Sequence, residues 1–317
     1  MHFPTSGIDI NPLIPPLVAF VISLLTSMGG VSGAFLLLPF QVSVLGFTSP
    51  AVSSTNQLFN IVAIPSGVWR YIKEGRMVWP LTWVVILGTL PGVFVGAIVR
   101  IKYLPDPEHF KLFAGIVLLY IAVRIVKDLL KKRAGNADSS EARFRRLVAS
   151  RREGVEAGRK DLPRVKVTEF SLRRIAYEFH GERYDVAAWK IFSISLIVGM
   201  VGGIYGIGGG AIMAPIYVAF FGLPVYTIAG AALMGTFITS IAGVLFYQAL
   251  APFYPDVQVA PDWMLGLLFG LGGLAGMYCG ARLQKFIPAR LIKWMLAGCI
   301  LFLSGNYILG FLLKLVG

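Results

Sequence analysis

The sequence has few charged side chains, since Asp, Glu, Lys and Arg together make up only 14% of its 317 residues. A soluble globular protein carries about 25% charged residues, so this deficit excludes an ordinary water-soluble fold. Hydrophobic residues make up 56% of the chain, and its mean hydropathy is +0.73. The acidic residues lie outside the long apolar runs or at their ends. The composition therefore indicates a protein whose main solvent is lipid.

Cysteine and histidine are scarce, with two and three copies. Cys279 and Cys299 both fall within apolar runs, which predicts small packing residues rather than a disulfide framework. No apolar run has a His, Asp or Glu near its centre, so neither a metal site nor a general base is expected within the membrane. We therefore predict a transporter or channel rather than an enzyme, with no cofactor and no metal.

The net charge of +13 does not indicate nucleic-acid binding, because the positive charges lie mostly between apolar runs. Their densest block is the loop 131–186, with fifteen Lys and Arg against nine Asp and Glu. Basic loops of membrane proteins stay on the cytoplasmic side. This loop is therefore predicted to be cytoplasmic, and no nucleic acid is expected as a partner.

Ten apolar runs form two sets of five, which predicts an all-α polytopic membrane protein. The runs are 13–29, 33–47, 50–71, 79–100 and 108–130, then 188–205, 209–222, 225–250, 263–286 and 290–315. A spanning helix needs about 20 apolar residues, and the second run of each set is shorter and follows a glycine cluster. Those two are predicted to be broken or re-entrant. The predicted domains are 1–130 and 187–317, separated by 131–186.

The two sets read as copies of one another. At a shift of 176 residues, MGGVSGAFLLLP (28–39) lies over IYGIGGGAIMAP (204–215), and farther on Gly92 and Gly96 match Gly276 and Gly280. Such small-xxx-small spacing predicts close helix contacts. An odd number of segments per half predicts inverted repeats, with both termini outside. The acidic loop 251–262 agrees with this orientation, whereas Arg100 and Lys102 do not.

Within the long loop, residues 165–186 read as strands, with a hairpin turn at His180-Gly181. Residues 131–164 are charged and poor in aromatic side chains, which is typical of a linker. The insertion is either a solvated linker with local β structure or a regulatory or partner-binding element.

The glycine-rich stretch GGIYGIGGGAIMAP (202–215) does not match a nucleotide-binding loop, since it lacks the Gly-Lys-Ser/Thr ending. Glycine does allow a ligand to approach the backbone closely, and transporters point the N-termini of half-helices at anions. Two interpretations stay open: the loop and its copy line a substrate path, or they serve as a hinge for tight helix packing.

A stripe of polar residues follows each glycine loop. Ser53, Asn56, Gln57 and Asn60 fall on one helix face at i, i+3, i+4 and i+7, and Thr236, Thr239, Ser240 and Gly243 repeat the spacing. Amides and hydroxyls can bind an anion without a fixed charge. They can also bond neighbouring helices, so both roles stay open.

This arrangement resembles the TauE/SafE family of anion transporters. The residues that carry the resemblance are Gly206-Ile207-Gly208-Gly209-Gly210 with Pro215, the weaker copy Gly30-Val31-Ser32-Gly33 with Pro39, and the helix AGAALMGTFITS, 229–240. The resemblance implies transport of sulfite, sulfonates or related anions across the cytoplasmic membrane. The candidate substrate-binding residues are Gly30, Ser32, Gly33, Ser53, Asn56, Gln57, Asn60, Tyr205, Gly206, Gly208, Gly209, Gly210, Thr236, Thr239 and Ser240.

The expected function is export or facilitated diffusion of small sulfur-containing anions. A membrane potential, negative inside, drives an anion outward by about 2.3 kcal/mol per charge per 100 mV without a coupled ion. The alternatives are an anion channel and an importer of other small organic anions coupled to sodium or protons. The expected partners are the small anionic substrate, the lipid bilayer and a second copy in a homodimer.

Overall fold

The computed structural model shows a mostly helical protein with a small sheet. It describes residues 1–29, 32–73, 77–131, 165–171, 173–179, 182–208, 213, 216–217, 220–221, 223, 225–283 and 289–316. The helices named here are α1 (Ile14–Gly29), α2 (Ala34–Ser43), α3 (Ala51–Ala63), α4 (Pro65–Lys73), α5 (Trp79–Lys102), α6 (Pro107–Lys131), α7 (Ala188–Tyr205), α8 (Val225–Leu250), α9 (Trp263–Leu283) and α10 (Ala289–Val316).

Within the described residues, six helices are long and apolar enough to cross a membrane, which agrees with the predicted polytopic architecture. These six are α5 to α10. The predicted short second run of the first half is confirmed, because α2 has only 10 residues. Its counterpart, 209–222, lies mostly outside the described residues. The predicted run 50–71 forms two helices that are separated at Ile64. Pro65 begins α4, and because proline has no N–H it cannot continue the hydrogen-bond ladder of α3.

Glycines allow two pairs of helices to pack with their backbones in contact, as the small-residue spacing predicts. A Cβ added at Gly88 would lie 2.6 Å from the Cβ of Ser195, and one added at Gly203 would lie 2.5 Å from the Val93 carbonyl oxygen. Helices α5 and α7 therefore run side by side in the same direction.

Helices α1 and α9 form the second pair of this kind. A Cβ at Gly272 would lie 2.6 Å from the carbonyl carbon of Pro16, and one at Gly276 would lie 3.0 Å from the Cα of Phe20. These two helices are also parallel. Any larger residue at these glycines would force the backbones apart.

Helices α6 and α10 pack in opposite directions. The rings of His109 and Phe311 are 5.7 Å apart, and a Cβ at Gly115 would lie 3.0 Å from the Cβ of Tyr307. The side chains of Glu108 and Lys314 form an ion pair at the same end. The first turn of α6 therefore lies beside the last turns of α10.

The predicted strands of the insertion are present. Strands β3 (Lys166–Phe170), β4 (Arg174–Phe179) and β5 (Glu182–Ala187) form an antiparallel sheet in that order. The Tyr177 side chain is fully buried, and its hydroxyl lies 2.8 Å from Thr227 Oγ1 at the start of α8. Burial raises the pKa of Tyr177 to about 12. The predicted turn, His180-Gly181, lies outside the described residues, as does the predicted linker 131–164 apart from Lys131.

A short hairpin at the N-terminus is absent from the sequence-based prediction. Strands β1 (His2–Phe3) and β2 (Ile8–Asp9) pair antiparallel around Gly7, which has a φ of +67°. The hydroxyl of Ser6 donates to Asp262 Oδ2 at 2.9 Å. The hairpin is thereby attached to the segment that precedes α9.

The cysteines are free, as expected, but their burial differs from the prediction. Cys279 is half-buried and Cys299 is exposed on α10. Cys299 is therefore not an interior packing residue. It lies on a helix whose outer face is largely apolar, with Trp294, Met295 and Phe302 exposed nearby.

The bundle has two distinct ends. The terminal end, as defined here, contains the N-terminal hairpin, residues 44–50, 103–106 and 251–262, and the last turns of α10. Its parts are joined by the bond from Ala51 N–H to the Gln258 carbonyl, 2.9 Å, and by the Ser6–Asp262 bond. The sheet end contains β3 to β5 and the first turns of α5, α7 and α8. Basic loop 131–186 leaves α6 at the sheet end.

Candidate substrate site at the helix breaks

Helix α7 ends abruptly inside the bundle, at the glycine loop singled out by the sequence. Gly206 has a φ of +77°, which reverses the chain and favours glycine over any other residue. The N–H groups of Gly206 and Ile207 both donate to the Gly202 carbonyl, at 2.8 and 3.1 Å. The last carbonyls of α7 are then left without helical partners.

Side chains from other helices supply those partners. The Tyr247 hydroxyl donates to the Gly203 carbonyl at 3.0 Å, and the Ser53 hydroxyl donates to the Ile204 carbonyl at 2.8 Å. Asn60 Nδ2 donates to the carbonyl of Ile207 at 3.1 Å. Part of the predicted polar stripe thus satisfies the irregular backbone, as a membrane interior requires.

The short helix α2 is held in the same way. Pro39 has no N–H, so the Phe35 carbonyl four residues earlier loses its helical donor. The hydroxyl of Tyr205 donates to that carbonyl at 2.9 Å. Asn56 Nδ2 donates to the Ala34 carbonyl at 3.0 Å, and Asn56 Oδ1 accepts from Gln41 Nε2 at 3.3 Å. Tyr205 therefore connects the two glycine-linked breaks directly, while Asn56 holds α2 against α3.

Three further hydroxyls of the predicted set bond locally. Thr236 donates to the Ala232 carbonyl at 2.9 Å and Thr239 to the Gly235 carbonyl at 2.7 Å, both within α8. Ser32 Oγ accepts the Ala34 N–H at 3.4 Å at the start of α2. These hydroxyls have their partners without a ligand.

A smaller group of buried polar atoms has no partner among the described residues. It comprises Gln57 Nε2 and Oε1, Asn60 Oδ1 and Ser240 Oγ. The three side chains are fully buried. An unpartnered polar group in an apolar interior costs about 1–3 kcal/mol, so each of these atoms is a position where a bound ligand would be stabilising.

These three residues lie on α3 and α8, which pack against each other, and each is adjacent to the glycine loop or to a glycine of α8. A Cβ at Gly208 would lie 3.2 Å from Ser240 Oγ and 2.7 Å from Thr236 Cγ2, and a Cβ at Gly243 would meet the Gln57 side-chain amide. Asn60 bonds Ile207, which precedes Gly208. We define Gln57, Asn60, Ser240, Gly208 and Gly243 as the central polar cluster.

The first glycine loop has different surroundings. A Cβ at Gly33 would lie 2.9 Å from Ser23 Oγ and 3.4 Å from Thr26 Oγ1, and Ser23 Oγ has no partner within the part of the chain that the structure describes. No amide comparable to Gln57 contacts Gly33 there. Gly30, Gly209 and Gly210, also predicted to bind substrate, lie outside the described residues.

The structure brings four residues to this region that are not among the candidates predicted from the sequence: Ser23, Gln41, Tyr247 and Gly243. Gln41 is fully buried on α2, and its Oε1 is unpartnered among the described residues. A single Gln in a run of eight apolar residues, 34–42, was the available signal. Gly243 is the fourth member of the second stripe, but glycine has no side chain that could bind a ligand.

The chemistry of the cluster is that of a neutral polar site. Its donors are an amide and a hydroxyl, and its acceptors are two amide oxygens. The described residues contain no group of three or more His, Cys, Asp or Glu that could hold a metal ion. The arrangement can bind and release a small polar ion, and it offers no nucleophile with an adjacent base.

Comparison with known proteins supports the same class. The chain is 30% identical over 119 residues to the probable membrane transporter protein YdhB of Bacillus subtilis (strain 168), covering 38% of this chain but only 45% of that relative. It is 21% identical over 296 residues to the probable membrane transporter protein YunE of the same organism, covering 89% and 93%. No solved structure matches the chain.

These names agree with the prediction of a transporter rather than an enzyme. The family model described as sulfite exporter TauE/SafE matches residues 16–307, which include both helical halves and the insertion between them. The family inferred by resemblance is thereby confirmed. The chain belongs to the sulfite exporter TauE/SafE family of membrane transporters.

Proposed function

We propose that this protein exports small sulfur-containing anions, such as sulfite or organosulfonates, or facilitates their diffusion across the cytoplasmic membrane. The observation that carries the proposal is the central polar cluster, because its three side chains are fully buried and each has a polar atom without a partner among the described residues, whereas Ser53, Asn56 and Thr239 on the same two helices have theirs. The proposed substrate site consists of Gln57, Asn60 and Ser240 around Gly208. The description of the family supplies the sulfur oxyanion as the substrate class.

A neutral site suits an anion that must also leave. The Gln57 amide and the Ser240 hydroxyl can each donate to an oxyanion, and a hydrogen bond to a charged group contributes about 1.5–3 kcal/mol. Fixed positive charge at this depth would bind the anion more tightly and slow its release. The membrane potential then provides the outward driving force without a coupled ion.

One observation favours a second candidate, uptake of an anion together with sodium. Three of the unpartnered atoms, Gln57 Oε1, Asn60 Oδ1 and Gln41 Oε1, are acceptors only. Amide oxygens can ligate a hard cation as well as accept hydrogen bonds. Under this alternative, anion binding would require sodium and would fail in potassium or choline salts.

The proposed architecture is a pair of inverted repeats. In the sequence alignment, α1 corresponds to α7 and α5 to α9, and the packing is reciprocal: α5 pairs with α7, and α1 pairs with α9. The last helices of the halves, α6 and α10, are antiparallel, as inversion requires. This geometry supports the internal repeat inferred from the glycine motifs.

The proposed orientation places the sheet end in the cytoplasm and the terminal end outside. The dense basic loop leaves from the sheet end, whereas Asp9, Asp106, Asp256 and Asp262 lie at the terminal end, which agrees with the distribution of positive charge in membrane proteins. Arg100, which counted against this orientation, is fully buried in the protein and is therefore not a loop charge, whereas Lys102 stays exposed at the terminal end. A homodimer stays a prediction.

Cysteine labelling provides a direct test of this orientation. In a background with Cys279 and Cys299 replaced by serine, single cysteines at Ser139 and Gly317 should react from opposite faces of sealed cells or inverted vesicles. The reason is that α6 and α10 are antiparallel, so the loop after α6 and the chain end after α10 lie on opposite sides. Labelling of both positions from the same face would contradict the inverted arrangement.

Substitutions of two neighbouring hydroxyl residues on α8, Ser240 and Thr239, distinguish ligand binding from helix packing. Ser240→Ala should weaken sulfite binding roughly 5- to 150-fold, since loss of one hydrogen bond to an anion costs about 1–3 kcal/mol. Thr239→Val should leave the affinity unchanged, because Thr239 already bonds the Gly235 carbonyl. Isothermal titration with sulfite, and with acetate as a carboxylate comparison, measures both. Equal affinities for the parent and Ser240→Ala would show that Ser240 does not contact the bound anion.

A further inference from the structure

We propose that Arg100 and Ser49 form a second anion-binding site, located toward the terminal end of the bundle from the central polar cluster. Arg100 lies in the last turn of α5 and is fully buried. Its guanidinium group donates to the Leu104 carbonyl and, at 2.7 Å, to the Thr48 carbonyl. The guanidinium carbon lies 3.8 Å from the centre of the Phe110 ring, which covers one face of the group.

The positive charge of Arg100 has no carboxylate partner in the part of the chain that the structure describes. Asp106 is close in sequence, but its carboxylate accepts the N–H groups of Glu108 and His109 and contacts the His109 ring. Glu108 is paired with Lys314. The C-terminus of α5 supplies only about half a negative charge. An uncompensated charge in an apolar interior is strongly destabilising, so a bound anion would stabilise this arrangement.

Donors for that anion are present. A guanidinium group has five N–H donors, and Arg100 Nε has no acceptor among the described residues. Ser49 follows Thr48, whose carbonyl Arg100 bonds, and the Ser49 hydroxyl oxygen is also buried and without a partner there. A guanidinium edge together with a hydroxyl from the adjoining loop matches a small oxyanion, for which arginine is the preferred side chain.

The position of Arg100 relates this site to the helix break. Tyr247 packs against Ala97 and Ile101, which lie on either side of Arg100, and its hydroxyl bonds the Gly203 carbonyl near the end of α7. An anion at Arg100 would therefore lie beyond the glycine loop, toward the terminal end. The identity of this anion as a sulfur oxyanion rests on the proposed function, whereas the need for an anion there does not.

Titration calorimetry of the purified, full-length protein with sulfite in oxygen-free buffer tests the inference. We expect two binding sites in the parent protein. Arg100→Gln should lose one of them, and Ser49→Ala, which keeps the charge, should weaken that site at least about 5-fold. Lys102→Gln is the matched control, because Lys102 lies two residues away and is exposed; it should retain both sites.

The variant Gln57→Glu at pH 8 separates this inference from the proposed function. If the parent binds a single sulfite that Gln57→Glu abolishes while Ser49→Ala leaves it unchanged, the Arg100 site is wrong and the central site stands. If the single site instead persists in Gln57→Glu and weakens in Ser49→Ala, the central site is wrong and the Arg100 site stands. An unchanged Ser49→Ala titration overturns the inference even if Arg100→Gln does not fold.

Discussion

Replacing Gly206 by alanine is expected to destabilise the protein by about 2–5 kcal/mol and to abolish transport. A non-glycine residue at a φ of +77° is strained by about 1–2 kcal/mol. The new Cβ would also lie 2.7 Å from the Cα of Ser53, closer than real contacts allow, so α3 and α7 must separate at a further cost of about 1–3 kcal/mol. That separation would break the Ser53 and Asn60 bonds to the loop.

Alanine substitutions at two other glycines distinguish the cost of backbone strain from the cost of the steric clash. Gly46 has a φ of +69° but no atom within 4 Å of an added Cβ, so Gly46→Ala should show only the backbone strain. Gly298 lies within α10 with open space around it, so Gly298→Ala should be neutral or slightly stabilising. Thermal unfolding in detergent measures all three. Equal midpoints for the Gly206 and Gly46 variants would show that the close approach to Ser53 is not required.

Replacing Gln57 by glutamate is expected to make transport depend on pH in a way that the parent does not. The protonated acid is neutral and resembles the amide, whereas the carboxylate would repel the anion by about 4 kcal/mol at 4 Å with an effective dielectric constant of 20. Transport by the variant should therefore fall as the pH rises and the carboxyl group ionises, by at least about tenfold at pH 8.

The matched control for this prediction is Gln248→Glu on α8, because Gln248 is exposed. This control should follow the pH profile of the parent. A Gln57→Glu variant with the parent's rate at pH 5 and at pH 8 would place Gln57 outside the anion path. Its amide would then be a buried group without a ligand, and the central polar cluster would lose its main donor.

The sequence predicts the helices well because their length is set by the membrane. The predicted runs 188–205 and 225–250 coincide with α7 and α8, and the other full-length runs differ from their helices by a few residues. The break at Pro65 was missed because the apolar run continues through it. Hydropathy indicates which segments lie in lipid, but it does not indicate where the hydrogen-bond ladder of a helix ends.

The sequence also identifies the buried faces of α3 and α8, but it cannot assign roles to their side chains. Ser53, Asn60 and Thr239 all have the spacing expected of a ligand face, and all are buried. Whether each bonds a ligand or the protein depends on acceptors such as Ile204 and Ile207, about 150 positions away in the chain. Only the packed structure shows that Gln57 and Ser240 lack such partners among the described residues.

Arg100 illustrates the same limit for charges. In the sequence it stands at the end of an apolar run, two residues from Lys102, and both read as loop residues. The structure separates them, because Lys102 is exposed while Arg100 turns inward to the Thr48 carbonyl and the Phe110 ring. Charge counting alone treats the two positions as equivalent.

Export of sulfur anions through the central polar cluster can be measured as transport by the purified protein in liposomes, with the membrane potential clamped by potassium and valinomycin. The measurement compares sulfite, an organosulfonate and acetate, each with the parent and with Gln57→Glu at pH 8. We expect the sulfur anions to move toward the positive side without a requirement for sodium or a proton gradient, and the variant to move them at least about tenfold more slowly. Sulfur-anion flux that is absent in the parent, or equal in parent and variant, would contradict this expectation.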